Sequence, residues 1–180
     1  MRKTLLLALA LLCAPAWAAD YVQAPGSNLT FAGTYQGEVF TGKFPGFVTA
    51  FRFDPKQLAA SKLQVVIPLA TAATSNADYD GELRGGSFFD AARFPRATYI
   101  ATTFRALGGN RYAADGTLTL RGISKPVVLE FTWTPGAAPV LSGKATVKRL
   151  AFGVGGGDWA DTALIPDAIA ISTKVVFKAK

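Results

Sequence analysis

Histidine is absent from this chain, and cysteine occurs once, at Cys13. The first absence excludes imidazole acid–base catalysis and histidine-containing zinc sites. The second excludes an intrachain disulfide, and loss of Cys13 with the N-terminal segment leaves no thiol nucleophile. Acidic residues are scarce, 12 against 19 basic ones. Beyond the N-terminal segment there is no long apolar run, no low-complexity tract, no linker and no repeat of solenoid length. What the sequence does hold is 13 phenylalanines, 18 glycines and many short stretches in which apolar and polar residues alternate.

Residues 1–18 read as a secretory signal peptide. Arg2 and Lys3 form the charged start, Leu5 to Leu12 the apolar centre, and Ala16-Trp17-Ala18 a small-residue cleavage site. The apolar centre is too short for a membrane span. Cys13 raises a lipoprotein alternative, but such a processing site takes a small residue before the cysteine, and here Leu12 precedes it. Export to the periplasm is expected, with residues 19–180 as one domain long enough for a real core. Arg2 and Lys3 supply two of the net seven positive charges. The remaining excess would attract anionic head groups or nucleic acid. Lys174, Lys178 and Lys180, however, alternate as solvated outer-face lysines do, and no basic cluster is dense enough for a nucleic-acid footprint.

The chain is organised around Gly116 to Trp133, GTLTLRGISKPVVLEFTW. Leu118 and Leu120 share one face; beyond a turn, Val127, Leu129, Phe131 and Trp133 share another, so this is a hairpin with one apolar side. Its turn is read as Gly122 to Pro126, with Pro126 suited to a ladder edge. Ser27 to Tyr35 and Glu38 to Phe53 alternate in the same way, the latter interrupted by Pro45-Gly46, which marks a bulge or bend. Phe47, Thr49, Phe51 and Phe53 continue its inward row. A brief helical turn is expected at Asp54-Pro55 and a strand at Lys62 to Leu69. A short helix follows, capped by Ser75 with Asp78 completing the box and stopping at Gly85-Gly86. Phe88 and Phe89 anchor a loop. After Pro95 a strand carries Ile100 and Phe104 on one face and Tyr99 on the other; Val140 to Leu150 and Ala168 to Phe177 complete the set. About eight strands meeting at turns argue for an all-β, antiparallel sandwich or barrel, and eight close a barrel wide enough for one small ligand. Composition alone does not choose between them.

LTLRG followed by KPV, the GKF of Gly42 to Phe44, FFD at Phe88 to Asp90, Phe94-Pro95, and Arg149 ahead of Phe152-Gly153 stand in an order that resembles the YceI-like family. Tyr21 and Ser27 ahead of the first long strand agree. The resemblance covers about residues 20–178. It implies a lipocalin-like barrel with an apolar channel that carries a long isoprenoid lipid or quinone, without enzyme activity, metal or cofactor. The channel wall it implies comprises Phe31, Phe44, Phe51, Leu63, Val65, Ile100, Phe104, Leu118, Leu120, Leu129 and Phe131. Family members often carry a histidine where Gly26 precedes Ser27, and Arg-Asp and His-Leu where this chain has Tyr79-Asp80 and Glu82-Leu83. The head-group candidates that remain are Tyr79, Arg84 and Arg149. In these departures the chain resembles the branch related to domains joined to cytochrome b561, which implies a membrane partner of that type and contact with the membrane surface.

Other readings stay open. Arg149 falls on an inward face, where a buried guanidinium needs a carboxylate or several carbonyls. Asp158 or Asp161 would make it a structural ion pair, and otherwise it is a head-group ligand. The glycines from Gly153 to Gly157 lack the lysine and hydroxyl of a phosphate-binding loop, so they read as a mobile rim loop. Asp158 and Asp161 would also serve a carboxylate-dependent periplasmic hydrolase. A third reading is an envelope stress or interaction protein whose barrel is filled by side chains.

Overall fold

The computed structural model describes residues 19–180; the expected signal peptide, Cys13 included, lies outside the described residues. Two strands, β1 (Ala19–Gln23) and β2 (Asn28–Tyr35), form one kinked stave, and β3 (Glu38–Lys43) and β4 (Val48–Phe53) a second. The two staves pair as one long hairpin, Tyr21 facing Phe51 near one end and Phe31 facing Gly42 near the other. The kinks fall at Pro25-Gly26 and Pro45-Gly46, where ladder pairing lapses. At the second, Phe44 and Phe47 both turn inward and are buried.

Then come β5 (Lys62–Pro68), β6 (Arg96–Gly108), β7 (Arg111–Leu120), β8 (Ile123–Thr134), β9 (Val140–Lys148) and β10 (Ala168–Ala179), each an antiparallel neighbour of the next. The last strand pairs with both β1 and β2, so the sheet closes into a barrel of eight staves. Closure leaves unpaired only stretches of strand, the outer side of β3 before Lys43 and the start of β8, rather than two whole sheet edges. Where β3 runs beyond the end of β5, the chain after β5 continues beside it, with Lys43 and Ala73 exchanging both backbone hydrogen bonds. The helix α1 (Ala77–Arg84) follows at this end of the barrel.

Several details differ from the sequence reading. The hairpin between β7 and β8 turns on two residues only, Arg121 and Gly122, with φ of 50° and 73°, and Leu120 faces Ile123. Two positive φ values give the mirror-image turn whose twist matches that of the flanking strands. Pro126 sits inside β8 opposite Thr117, in the stretch that β9 leaves unpaired. The cap of α1 is Asn76 rather than Ser75: its side chain accepts from Asp78 N at 2.9 Å and Tyr79 N at 3.3 Å. Asp80, not Asp78, reaches back, accepting from Thr74 N at 2.6 Å and Thr74 Oγ1 at 2.8 Å. The helical turn expected at Asp54-Pro55 comes later, at Leu58–Ala60.

Candidate ligand cavity

Side chains fill the barrel unevenly. Toward the end where β1 and β10 meet, Phe51, Phe53, Phe104, Tyr112, Phe131, Trp133 and Phe177 make a continuous aromatic plug. Phe51 stacks on Phe53 at 4.9 Å, and Phe53 meets Tyr112 at 5.0 Å and Trp133 at 5.3 Å. Rings at these separations and tilts pack favourably beyond the area they bury. Toward the α1 end the same inward rows leave a cavity of about 190 Å³. That exceeds the ~150 Å³ at which an engineered apolar cavity stays dry and takes up a small hydrocarbon. Along β10 it is lined from Ile169 to Val175, roughly 20 Å of strand at the usual rise per residue. The plug makes it blind at one end, so the channel through the barrel that the resemblance implies is instead a closed-ended cavity.

The residues expected on the channel wall divide accordingly. Phe31, Phe44, Leu63, Val65, Leu118, Leu120 and Leu129 line the cavity. Phe51, Phe104 and Phe131 point inward but belong to the plug, because alternation reports which face a residue occupies and not its height along the axis. Ile100 points outward and is 42% exposed, while Tyr99 lies inside. A register shift between Ala101 and Thr103 explains both: the bulge lets Tyr99 and Phe104 share the inner face although they are five positions apart.

Tyr99 was not among the expected wall residues. It lines the cavity, and its hydroxyl donates to the carbonyls of Ala114 at 2.8 Å and Val127 at 3.1 Å. Burial pushes its ionisation upward, so the phenol stays protonated. Phe88 and Phe89, both buried on their loop, also face the cavity. Phe88 continues into a second aromatic group: Trp159 lies 5.4 Å from it, Tyr35 lies 6.1 Å from Trp159, and Tyr79 of α1 lies 6.3 Å from Tyr35.

Of the head-group candidates, only Arg149 touches the cavity. Tyr79 is 41% exposed, and Arg84 donates to Ala72 O at 3.2 Å beside Asp80 on the outer side of α1. Arg149 is buried, and no carboxylate bonds it. Its Nε donates to Pro166 O, Nη1 to the carbonyls of Val154 and Gly155, and Nη2 to those of Trp159 and Ile165, at 2.7 to 3.2 Å. A guanidinium has five N–H donors, and here each has a carbonyl. The ion pair with Asp158 or Asp161 is therefore replaced by a cage of carbonyl dipoles, and no donor is left for a ligand. Burial pulls the guanidinium's ionisation below its usual value, with the charge of Asp167 acting against that shift.

The glycine-rich loop expected to be a mobile rim builds that cage. Gly155 has φ of 66°, and a Cβ there would lie 2.4 Å from Arg149 Nη1, so glycine alone fits. Asp158 and Asp161 are exposed and outside the cavity, and Asp161 caps the following turn through Ala163 N.

A closed antiparallel barrel, packed at one end and hollow with apolar walls at the other, is a lipocalin-like architecture. The model of the YceI-like domain matches residues 21–177, and the chain belongs to that family. Among curated relatives it is similar to a UPF0312 protein of Yersinia pestis (strain Pestoides F), 44% identical over 89 residues, which are 49% of this chain and 46% of that protein. A UPF0312 protein of Vibrio campbellii is 34% identical over 117 residues, 63% of this chain and 62% of that protein. The matched stretch thus spans about half the length of the Yersinia relative. Among solved structures, Burkholderia cenocepacia BcnA superposes with a TM-score of 0.80 at 30% identity, covering 83% of this chain and 95% of that one. A polyisoprenoid binding domain from Saccharophagus degradans, implicated in plant cell wall breakdown, shares the fold, with a TM-score of 0.67 at 17% identity over 91% and 99% of the two chains.

Proposed function

We propose that this protein sequesters or carries a long isoprenoid lipid or isoprenoid quinone in its apolar cavity and catalyses no reaction on it. The observation that carries the reading is the cavity itself: its wall is hydrocarbon and aromatic almost throughout, and its one charged group among the described residues, Arg149, has every donor engaged. Such a wall recognises a tail by burial alone. Each buried methylene is worth ~0.8 kcal/mol, so a branched five-carbon unit contributes up to about 3–4 kcal/mol before ordering costs. That a polyisoprenoid binding domain has the same fold supports this choice of ligand. A hydrolase reading lacks support, since Asp158 and Asp161 lie away from the cavity.

The reading includes export to the periplasm through cleavage of residues 1–18, exchange of the lipid at the membrane surface, and a cytochrome b561-type membrane partner. The signal-like segment and the basic excess support the first two. Native mass spectrometry of protein purified from the periplasm, followed by organic extraction, tests the carrier. A co-purifying isoprenoid is the expected result; an empty protein that takes up none on incubation overturns it. N-terminal sequencing should give Ala19 or Asp20, and a lipidated Cys13 would overturn the export route.

A further inference from the structure

Beyond Phe88, at the α1 end of the cavity, three elements converge, and each brings an aromatic side chain. On α1, Tyr79 stands one turn before Leu83, which lines the cavity, so the two share a face of the helix. On β2, Tyr35 ends the inward row that Leu29 and Phe31 begin on the cavity wall. On the loop after β9, Trp159 rests against Phe88, with ring centroids 5.4 Å apart. Tyr35 joins the others, 6.1 Å from Trp159 and 6.3 Å from Tyr79. The backbone fixes this meeting: Gln36 N donates to Leu164 O at 2.9 Å and latches the β2/β3 tip to the loop, while the Trp159 carbonyl is one of the five around Arg149.

Unlike the plug, these rings stay partly in water. Tyr35 and Trp159 are half-buried and Tyr79 is 41% exposed. Ring surface is therefore open at the mouth of an apolar cavity, and the phenols and the indole carry donors as well. The stretches that bear the rings are acidic. Glu38 lies opposite Tyr35 on the ladder, Asp78 and Glu82 share α1 with Tyr79, and Asp158 precedes Trp159, all four exposed. The only cation on α1, Arg84, donates to Ala72 O and lies 3.7 Å from Asp80. Lys125 stands on β8, three strands round the barrel from β2, and Lys43 and Lys148 take outward positions on their strands.

We propose that Tyr35, Tyr79 and Trp159 form a head-group subsite at the mouth, and that they select a neutral flat ring with carbonyl acceptors, the chemistry of a quinone, over an alcohol or a phosphate. The ring lies against the open aromatic surface and accepts from a phenol or the indole, while its tail runs inward past Phe88. Contact between rings contributes beyond the area it buries, and an alcohol has no ring to offer. A phosphate meets carboxylates on the stretches around the rings and is repelled. This inference rests on the carrier reading and specifies the head group and the end of the ligand that stays at the mouth.

Three ligands with the same geranyl tail test it: a benzoquinone, the alcohol and the phosphate. Residues 19–180 hold two tryptophans, Trp159 at the mouth and Trp133 in the plug, so Trp133→Phe and Trp159→Phe each leave one reporter. The quinone should quench Trp159 emission strongly and Trp133 emission little. It should bind more tightly than the alcohol, and the phosphate should bind least, with added salt narrowing its deficit. Tyr79→Leu should weaken the quinone about fivefold, the scale of one aromatic contact, and leave the alcohol unchanged. Tyr79→Phe, which keeps the ring, should recover most of the loss. Quenching confined to Trp133, a Tyr79→Leu effect that is absent or equal for quinone and alcohol, or a phosphate that binds more tightly than the alcohol overturns the subsite while the carrier stands. If none of the three ligands binds the wild type, both fall.

Discussion

Phe31 folds its ring over Gly42, its partner across the β2/β3 ladder: a Cβ on Gly42 would lie 2.2 Å from the Cζ of that ring. Tyr99 covers Gly116 in the same manner, its Cζ 2.4 Å from where a Cβ would be. The two pairs differ in what holds the ring. Phe31 borders open space, whereas the Tyr99 hydroxyl is tethered to two carbonyls. Gly42→Ala should therefore swing Phe31 into the cavity, lowering stability by about 1 kcal/mol and bound lipid markedly. Gly116→Ala must break the tether and should lose about 2–3 kcal/mol, toward the upper end for overpacking. Urea denaturation with lipid quantification checks both, and equal losses of stability would contradict this account.

Leu129 and Phe131 are consecutive inward positions of β8, one on the cavity wall and one in the plug. Leu129→Trp has room to grow into, so it should expel lipid at a cost of less than about 1 kcal/mol, below the usual range for overpacking. Phe131→Ala should instead cost roughly 3–5 kcal/mol and leave the lipid content of the folded protein unchanged. Thermal denaturation and extraction of the two purified variants separate the effects.

The carbonyl cage makes Arg149 a structural centre for the loop from 149 to 167. Lysine brings only three donors on one nitrogen, so Arg149→Lys leaves buried carbonyls unmet. The expected loss is roughly 3–5 kcal/mol, the scale of breaking a buried charged network. Limited proteolysis should cut this loop in the variant before the barrel unfolds, and resistance equal to wild type would argue against the cage.

Acid pairs set the pH response. Thr74, through its amide and then its hydroxyl, holds the Asp80 carboxyl below its ordinary value of 3.8, with Arg84 adding to the effect. Arg105 lowers Asp115 and Arg52 lowers Asp20 in the same direction. A depressed carboxylate stabilises the fold above its unfolded value, and that contribution is lost as pH falls through the folded value. All three contributions are thus complete at neutral pH and lost only below 3.8. Melting temperature and affinity for a neutral isoprenoid should both be flat from about pH 5.5 to 8, the range in which histidine would titrate. Asp80→Ala should shrink the acid-side loss of stability. A change of about tenfold in affinity over that range would mean that an ionising group takes part in binding.

Much of this was legible because alternation is a geometric property of strands. Phe47, Thr49, Phe51 and Phe53 were placed on one inner face by spacing alone, as were Leu118, Leu120, Leu129 and Phe131. What spacing does not encode is depth: Phe51 and Phe131 sit on the expected inner face but belong to the plug rather than to the cavity wall. Nor does it reveal a bulge: the shift after Ala101 exchanged the faces of Tyr99 and Ile100. Arg149 stood out as a charge on an apolar row, but its partners are carbonyls, which every residue carries and no sequence distinguishes.

The meeting of β1 with β10 also ties the two extremes of the described chain together. Tyr21 pairs with Ala179, and Lys180 N donates to Asp20 O at 3.0 Å, so the closing seam joins stretches at opposite extremes of the described chain. Contacts of such sequence separation slow the search for the native state. Until β10 also pairs with β2, which sets Ile171 opposite Phe31, the hollow lacks a wall. A chain that has not closed thus offers an apolar tail no enclosed cavity.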